Sequence, residues 1–285
     1  MSDRPSIRTQ ILVFTLFGEY IVPRGGSAWT SSLLHLLREF GVSERAARST
    51  LSRMSQKGWL ASRRKGRHSR YEIKPPGLRV VRGGEVRIFE PRRGEWDGRW
   101  HLVVYSVPEG KRGLRARLRT RLGWLGFGRL APGTWVSPTD RRAEVEADLD
   151  DLRAKPYAVY FSDSRLPSIR SEEIVSRCWD LKGLNRDYAR FLQRYEPAFV
   201  AARASFRRGH PLSPVECFRR RFWLTLDYSQ FPRRDPNLPP PLLPPNWRGT
   251  RAAEIFQSYH NLLRATSEDF VTEALSLDPA APRGD

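Results

Sequence analysis

Residues 43–73, SERAARSTLSRMSQKGWLASRRKGRHSRYEI, constrain the fold of this chain more than any other stretch. They spell a short basic helix followed at once by a basic hairpin. Ser43 can cap the helix by accepting a free first-turn N–H, and Glu44 suits the positive end of the helix dipole. Gly58 stops the helix just after Lys57. Ala47, Leu51 and Met54 fall at i, i+4 and i+7, a single apolar stripe. Trp59–Arg64 and Ser69–Ile73 read as strands joined by Lys65-Gly66-Arg67, with Leu60, Tyr71 and Ile73 inward. A preceding helix over Thr30–Phe40, apolar at Leu33, Leu34, Leu36 and Leu37, stops at Gly41. The short gap between the two helices is what a helix-turn-helix requires. The pattern is that of a winged helix-turn-helix, a device for reading duplex DNA.

The faces of the second helix divide the work. Arg45, Arg48, Ser49, Ser52 and Gln56 lie opposite the apolar stripe, the side that enters a major groove. Arg45 and Arg48 can each present two donors to a guanine edge, and Ser49 and Ser52 can meet bases or phosphates. Ser43 at the cap belongs to the same end, while Arg53 and Lys57 flank the face and suit phosphate. The hairpin carries Arg63, Arg64, Lys65, Arg67, His68 and Arg70. Such density repels itself unless a polyanion neutralises it, so phosphate and minor-groove contacts are expected. The competing reading is an ordinary solvated face, and the adjacent hairpin weighs against it.

Charge placement agrees. The net charge of +19 predicts attraction to polyanions, and twelve Lys or Arg between Arg45 and Arg82 face only Glu44 and Glu72 nearby. An anionic membrane surface is the rival partner, but no long basic amphipathic helix is evident, and no segment is long and apolar enough to span a bilayer. Ile11–Phe17 after Arg4 and Arg8 has the look of a signal peptide, yet it is short and lacks a cleavage site. Only Cys178 and Cys217 are present. That excludes a disulfide framework and points to a reducing cytoplasm.

The remaining chain suggests an α+β protein of three parts. The first, 1–82, is the winged helix-turn-helix, opened by a helix over Ser6–Phe17 with Ile7, Ile11, Phe14 and Leu16 towards a core. Pro75, Pro76, Gly83 and Gly84 mark a linker. The second, 95–168, alternates strand His101–Val107, helix Lys111–Leu122, strand Gly133–Ser137, helix Glu144–Ala154 and strand Tyr157–Phe161. That order suggests a ferredoxin-like α/β domain. The third, 171–276, is mainly helical, over Glu172–Leu181, Asn185–Tyr195, Pro197–Arg207, Pro214–Tyr228 and Trp247–Ala265. Its 232–245 segment is half proline, which excludes helix and sheet there and reads as a strap between domains. A loose tail is expected from about Leu277.

Three co-linear motifs resemble the PaaX-type repressors, regulators of phenylacetic acid degradation. They are FTLFGEYIVPRGGSAW with FGVSERAARSTLSRMSQKGWL and the RRKGRHSRY wing, then WDGRWHLVVYSVPEGKRGLRARLRTRLGWLGFGRLAPGTWVSP, then YSQFPRRDPNLPPPLLPPNW. Together they span nearly the whole chain. The resemblance implies a homodimeric repressor on a palindromic operator, released by a coenzyme A thioester, typically phenylacetyl-CoA. It implies a middle domain similar to the small nucleases of CRISPR adaptation. In the family, as in those nuclease-like relatives, the first middle strand often ends in an acid, whereas here HLVVYS ends in Ser106, which argues against catalysis. A CoA ligand needs cations for its phosphates and an apolar slot for its acyl group. Arg219, Arg220, Arg221, Trp223, Arg233 and Arg234 can supply them, with Tyr157 and Tyr160 as an alternative slot, and plain structural packing is the competing reading of these residues.

Other chemistries fit less well. Gly123, Gly126 and Gly128 follow a helix, whereas a dinucleotide loop needs G-x-G-x-x-G between strand and helix, so a helix stop and turn are expected. The acidic run Glu144, Glu146, Asp148, Asp150 and Asp151 is spread around a helix and suits solvent or the protein's own basic surface better than a metal. His35, His68, His101, His210 and His260 are dispersed, without zinc-site spacing. No catalytic residue, metal or resident cofactor is expected. A metal-dependent nuclease on the middle domain and a non-specific architectural DNA binder are the alternatives.

Overall fold

The computed structural model describes residues 8–88 and 95–276, with side chains for all of these except 82–88. It is an α+β protein with two small sheets and a helical C-terminal region. In chain order the elements are α1 Thr9–Leu16, β1 Ser27–Trp29, α2 Thr30–Arg38, α3 Glu44–Gln56, β2 Leu60–Lys65, β3 His68–Ile73, α4 Pro75–Ile88, β4 Trp100–Tyr105, α5 Arg112–Trp124 and β5 Gly128–Ala131. They continue as β6 Thr134–Ser137, α6 Arg142–Asp151, β7 Ala158–Ser164, α7 Ser171–Cys178, α8 Leu181–Arg207, α9 Pro214–Tyr228 and α10 Gly249–Ser276. Packing divides the described residues into two units. One draws on residues 8–88, 190–230 and 250–276, the other on 95–189 and 231–249.

In the first unit α1 runs on through a π-helical turn, Phe17–Ile21, and a 3-10 turn, Val22–Arg24. Its buried stripe is Leu12, Val13 and Leu16, while Phe14 packs at the edge of the core. Ile11, expected inward, is 44% exposed, and Ser6 and Ile7 lie outside the described residues. The error is one of phase, because an almost wholly apolar helix carries no clear stripe in its sequence. The sheet has three strands in the order β1-β3-β2, all antiparallel. The short β1 was not foreseen, since three residues are too few for an alternation to show. The β2–β3 turn is the pair Gly66–Arg67, with Gly66 at φ +60°, the glycine position of a type II′ hairpin.

The expected linker is a helix. Pro75 and Pro76 open α4, where a missing N–H costs nothing because first-turn donors have no partner in the helix. Gly83 and Gly84 lie within it. Pro197 misleads in the same way, for α8 runs through it as one helix. Phe191, Tyr195, Phe199 and Ala202 are all buried, and their spacing carries one core stripe across the proline. The last helix likewise extends past Ala265 to Ser276.

The core of this unit joins the N-terminal elements to α9 and α10. Leu16, Phe17, Leu33, Leu37, Leu51 and Met54 share one cluster with Phe218, Phe222, Val271 and Ala274. Phe40 stacks on Phe222 with ring centroids 4.0 Å apart. A buried ion network crosses the same boundary. The Arg221 guanidinium, whose side chain is only 5% exposed, lies 2.8 Å from Glu19 Oε1 and 3.3 Å from Glu268 Oε1. His260 Nε2 is 2.6 Å from the same Glu19 oxygen, and Thr225 donates to the other at 3.2 Å. Burial alone would raise the Glu19 carboxyl. The hydrogen bond and charge of His260, with the charge of Arg221, outweigh it and hold the group below its ordinary range.

In the second unit the sheet order is β5-β6-β4-β7, antiparallel throughout, with α5 and α6 on one face. Val103, Leu118, Leu122, Trp135, Val145 and Leu149 fill that interface. The other side buries Trp100 and Val136 against Ile174 of α7 and against Leu238 and Leu242 of the proline-rich segment. That segment holds only a short 3-10 turn, Pro240–Leu242. The strand β5 is hidden in the sequence because Gly123, Gly126 and Gly128, which precede and open it, look like loop. Of the three glycines, Gly126 alone takes a positive φ at the helix end, and Gly123 lies within α5. Gly128 sits in β5 for a different reason: a Cβ there would stand 2.4 Å from Cys178 Cβ and 2.6 Å from the Trp179 ring. Gly128→Ala is expected to cost about 1–3 kcal/mol through overpacking, read as a fall in the melting temperature of the variant. An unchanged melting temperature would show that α7 can move away freely.

Candidate nucleic-acid interface

The α3 helix is built to show one polar face. Ser43 caps it by accepting from Ala46 N at 3.3 Å, and Ala47, Thr50, Leu51 and Met54 are buried. Arg45, Arg48, Ser49, Ser52 and Gln56 are all exposed and fall within one arc of the helix, opposite that stripe. Arg48 is held by Glu44, one turn back, at 2.8 Å. Glu–Arg at i,i+4 on an exposed face is worth only about 0.3–0.5 kcal/mol, so a guanine edge or a phosphate can draw the guanidinium away. Arg53 leans back to Thr50 Oγ1 at 3.3 Å, and Lys57 lies over the Trp59 ring at 5.0 Å. Both flank the face.

The hairpin beside it carries its cations unequally. Arg63 is paired with Glu72 at 3.0 Å, and Arg64 Nε donates to the Gly66 carbonyl at 3.1 Å. Arg70 sits over the Trp29 ring of β1 at 5.8 Å. His68 is half-buried where β3 begins, opposite Lys65. Among the described residues Lys65 and Arg67 meet no carboxylate, and both flank the glycine of the turn. The hairpin is tied to α2 close to its turn, since the Thr30 hydroxyl donates to the Ser69 carbonyl at 2.8 Å. The structure therefore brings the expected residues of α3 and of the hairpin, all but the half-buried His68, onto exposed surface of one unit. The Glu44–Arg48 and Arg63–Glu72 pairs were not foreseen. The first was legible as an i,i+4 pair, the second only from strand register.

Three family models match the chain in order. They are "PaaX-like protein" over residues 8–74, "PaaX protein central Cas2-like domain" over 93–175 and "PaaX-like protein C-terminal domain" over 179–273. The Transcriptional repressor PaaX of Escherichia coli (strain K12) is 31% identical over 266 residues, covering 92% of this chain and 82% of that protein. The chain belongs to the PaaX family. Among solved structures, the uncharacterized protein Rv0674 from Mycobacterium tuberculosis matches with a TM-score of 0.56 at 23% identity, over 93% of this chain and 98% of the other. At that identity the likeness speaks for the fold alone.

In this PaaX-family chain the residues considered for an effector fall into different units. Arg219, Arg220 and Trp223 belong to the first, and Tyr157, Tyr160 and Arg233 to the second. Most are engaged. Arg219 holds Glu39 at 2.7 Å, Arg220 holds Glu216 at 2.7 Å, and Trp223 packs edge-on to Phe40. Tyr157 accepts from Lys111 Nζ at 2.6 Å, and Tyr160 donates to Asp140 at 2.8 Å. Arg233 is exposed, while Arg234 pairs with Asp187. The acidic face of α6 docks on the protein's own cations: Asp148 and Asp151 on Arg121, Asp150 on Lys155, Glu144 on Arg141 and Glu146 on Arg142. Among the described residues no three His, Cys, Asp or Glu converge as metal ligands would, and no helix is long and apolar enough to cross a membrane. Burial pushes the Cys178 thiol up to about 12 and the Cys217 thiol to about 11, so neither carries appreciable thiolate at neutral pH.

Proposed function

We propose that the chain is a transcriptional repressor whose α2, α3 and β2–β3 hairpin form a winged helix-turn-helix. The single observation that carries this is the exposed polar face of α3, free of apolar side chains and set beside a cation-tipped hairpin in the same unit. On this reading α3 enters the major groove, Arg45 and Arg48 read guanine edges, and Lys65 and Arg67 hold phosphates of the flanking backbone. The E. coli relative, named as a transcriptional repressor, supports the role. We read the middle unit's sheet, with its strand–helix–strand–strand–helix–strand order, as ferredoxin-like, which agrees with the family model's Cas2-like description.

The finer function follows the same family. The repressor acts as a homodimer on a palindromic operator in the cytoplasm, controls aromatic-acid catabolic genes of the phenylacetate type, and is released by an aryl-CoA thioester. Release requires that the effector bind better to a dimer geometry that misplaces the two α3 helices. Genome-wide footprinting with and without a panel of acyl-CoA esters tests all of this at once. Palindromic sites near such genes, lost on adding one aryl-CoA ester, are expected. Cleavage of the DNA with magnesium, or occupancy with no sequence preference, would overturn the reading.

A further inference from the structure

The second unit carries a basic hollow that DNA reading leaves unused. It lies between the end of β4, the α5 helix and the β5–β6 turn, and encloses about 310 Å³. Arg115 and Arg119 of α5 and Arg129 of β5 line it, with Tyr105, Ser106 and the Gly133 turn, and no acidic residue borders it. Two other arginines of α5 are neutralised: Arg112 meets Glu109 at 3.4 Å, and Arg121 meets Asp148 and Asp151 at 2.7 and 3.0 Å. Those at the hollow are not. Arg115 donates to the Val107 carbonyl at 2.8 Å, which fixes its head at the wall and leaves further N–H donors. Among the described residues neither Arg119 nor Arg129 meets a carboxylate.

Arg115 and Arg119 are one turn apart and stand on the same face of α5. Three guanidiniums around one hollow repel one another until an anion sits between them. Guanidinium forks match phosphate oxygens in pairs, and the half-buried Tyr105 ring offers a flat wall for a base. A volume of this size falls at the lower end of small-ligand sites, about 300–1,000 Å³. We propose that this hollow binds a small phosphate-bearing molecule of the nucleoside diphosphate type, with Arg115, Arg119 and Arg129 on its phosphates and Tyr105 beside its base. A CoA ester carries that chemistry at its nucleotide end, but the site is inferred from the hollow alone and stands whether or not an acyl-CoA releases DNA.

Calorimetric titration of the full chain with ADP and with inorganic pyrophosphate, at about 150 mM salt to screen the general positive field, tests this. ADP is expected to bind one per chain. Arg119→Ala/Arg129→Ala should weaken it at least about tenfold, the loss of one charged hydrogen bond or more. Lys65→Ala/Arg67→Ala, which removes as much charge elsewhere, should bind as the wild type does. Failure of both probes to bind, equal binding by the Arg119/Arg129 variant, or a loss confined to the Lys65/Arg67 variant would overturn the proposal. So would duplex binding that weakens in the Arg119/Arg129 variant when neither probe binds, since the hollow would then serve DNA.

Discussion

Arg221→Ala is expected to destabilise the first unit by about 3–5 kcal/mol at neutral pH, because it strands a buried carboxylate. Glu19 is held by Arg221 at 2.8 Å, and the side chains are only 5% and 10% exposed. With Arg221 gone, Glu19 keeps His260 and Thr225 but loses its permanent cation. The pH dependence has a definite sign. Glu19 has a folded pKa below its ordinary 4.5, so the stability it lends is full above about pH 4.5 and is lost as pH falls through the folded value. The deficit of Arg221→Ala should therefore shrink on acidification, since a protonated Glu19 needs no cation. Denaturant unfolding at pH 7 and below pH 4.5 measures both effects. Glu19→Leu/Arg221→Met, which replaces both charges with apolar bulk, should recover part of the loss. The consequence reaches the proposed DNA-reading helix, because α9 and α10 share one core with α2 and α3.

Duplex affinity should fall about a thousandfold between 50 and 200 mM salt. If the proposed dimer neutralises about six phosphates, the log–log slope is near −5. Lys65 and Arg67 meet no carboxylate among the described residues, so their charge is available to DNA without breaking an ion pair. Lys65→Ala/Arg67→Ala removes four contacts from the dimer and should reduce the slope to about −2. Arg63 differs, being already paired with Glu72 at 3.0 Å. Its replacement should move the slope less than that of Arg67. Fluorescence anisotropy across a salt series reads all three, and an unchanged slope in the double variant would remove the hairpin from the phosphate contacts.

The elements proposed to face DNA were legible because their signals are local. Ser43, the stripe Ala47–Leu51–Met54 and the glycine of the hairpin lie within one short run, and each settles its own element. What failed was read through single residues whose meaning depends on position. Pro75, Pro76 and Pro197 read as breaks in the sequence, yet the first two open a helix and the third lies within a stripe that packs on both sides of it. The strands β1 and β5 are too short to alternate visibly and exist because neighbours offer them a ladder. Arg219, Arg220 and Arg221 looked like a ligand's cations. Two of their carboxylates, Glu39 and Glu19, come from the far end of the chain and could not be seen without the fold.

The most direct measurement is competition between operator and random duplex at matched salt, with Arg48→Ala and Arg67→Ala side by side. Arg48→Ala should lose about 1–3 kcal/mol of discrimination at each half-site, about five- to 150-fold, with little change on random duplex. Arg67→Ala should weaken both duplexes alike and leave their ratio intact. If Arg48→Ala keeps the operator preference while Arg67→Ala abolishes it, or if neither variant differs from the wild type, then α3 is not the reading helix.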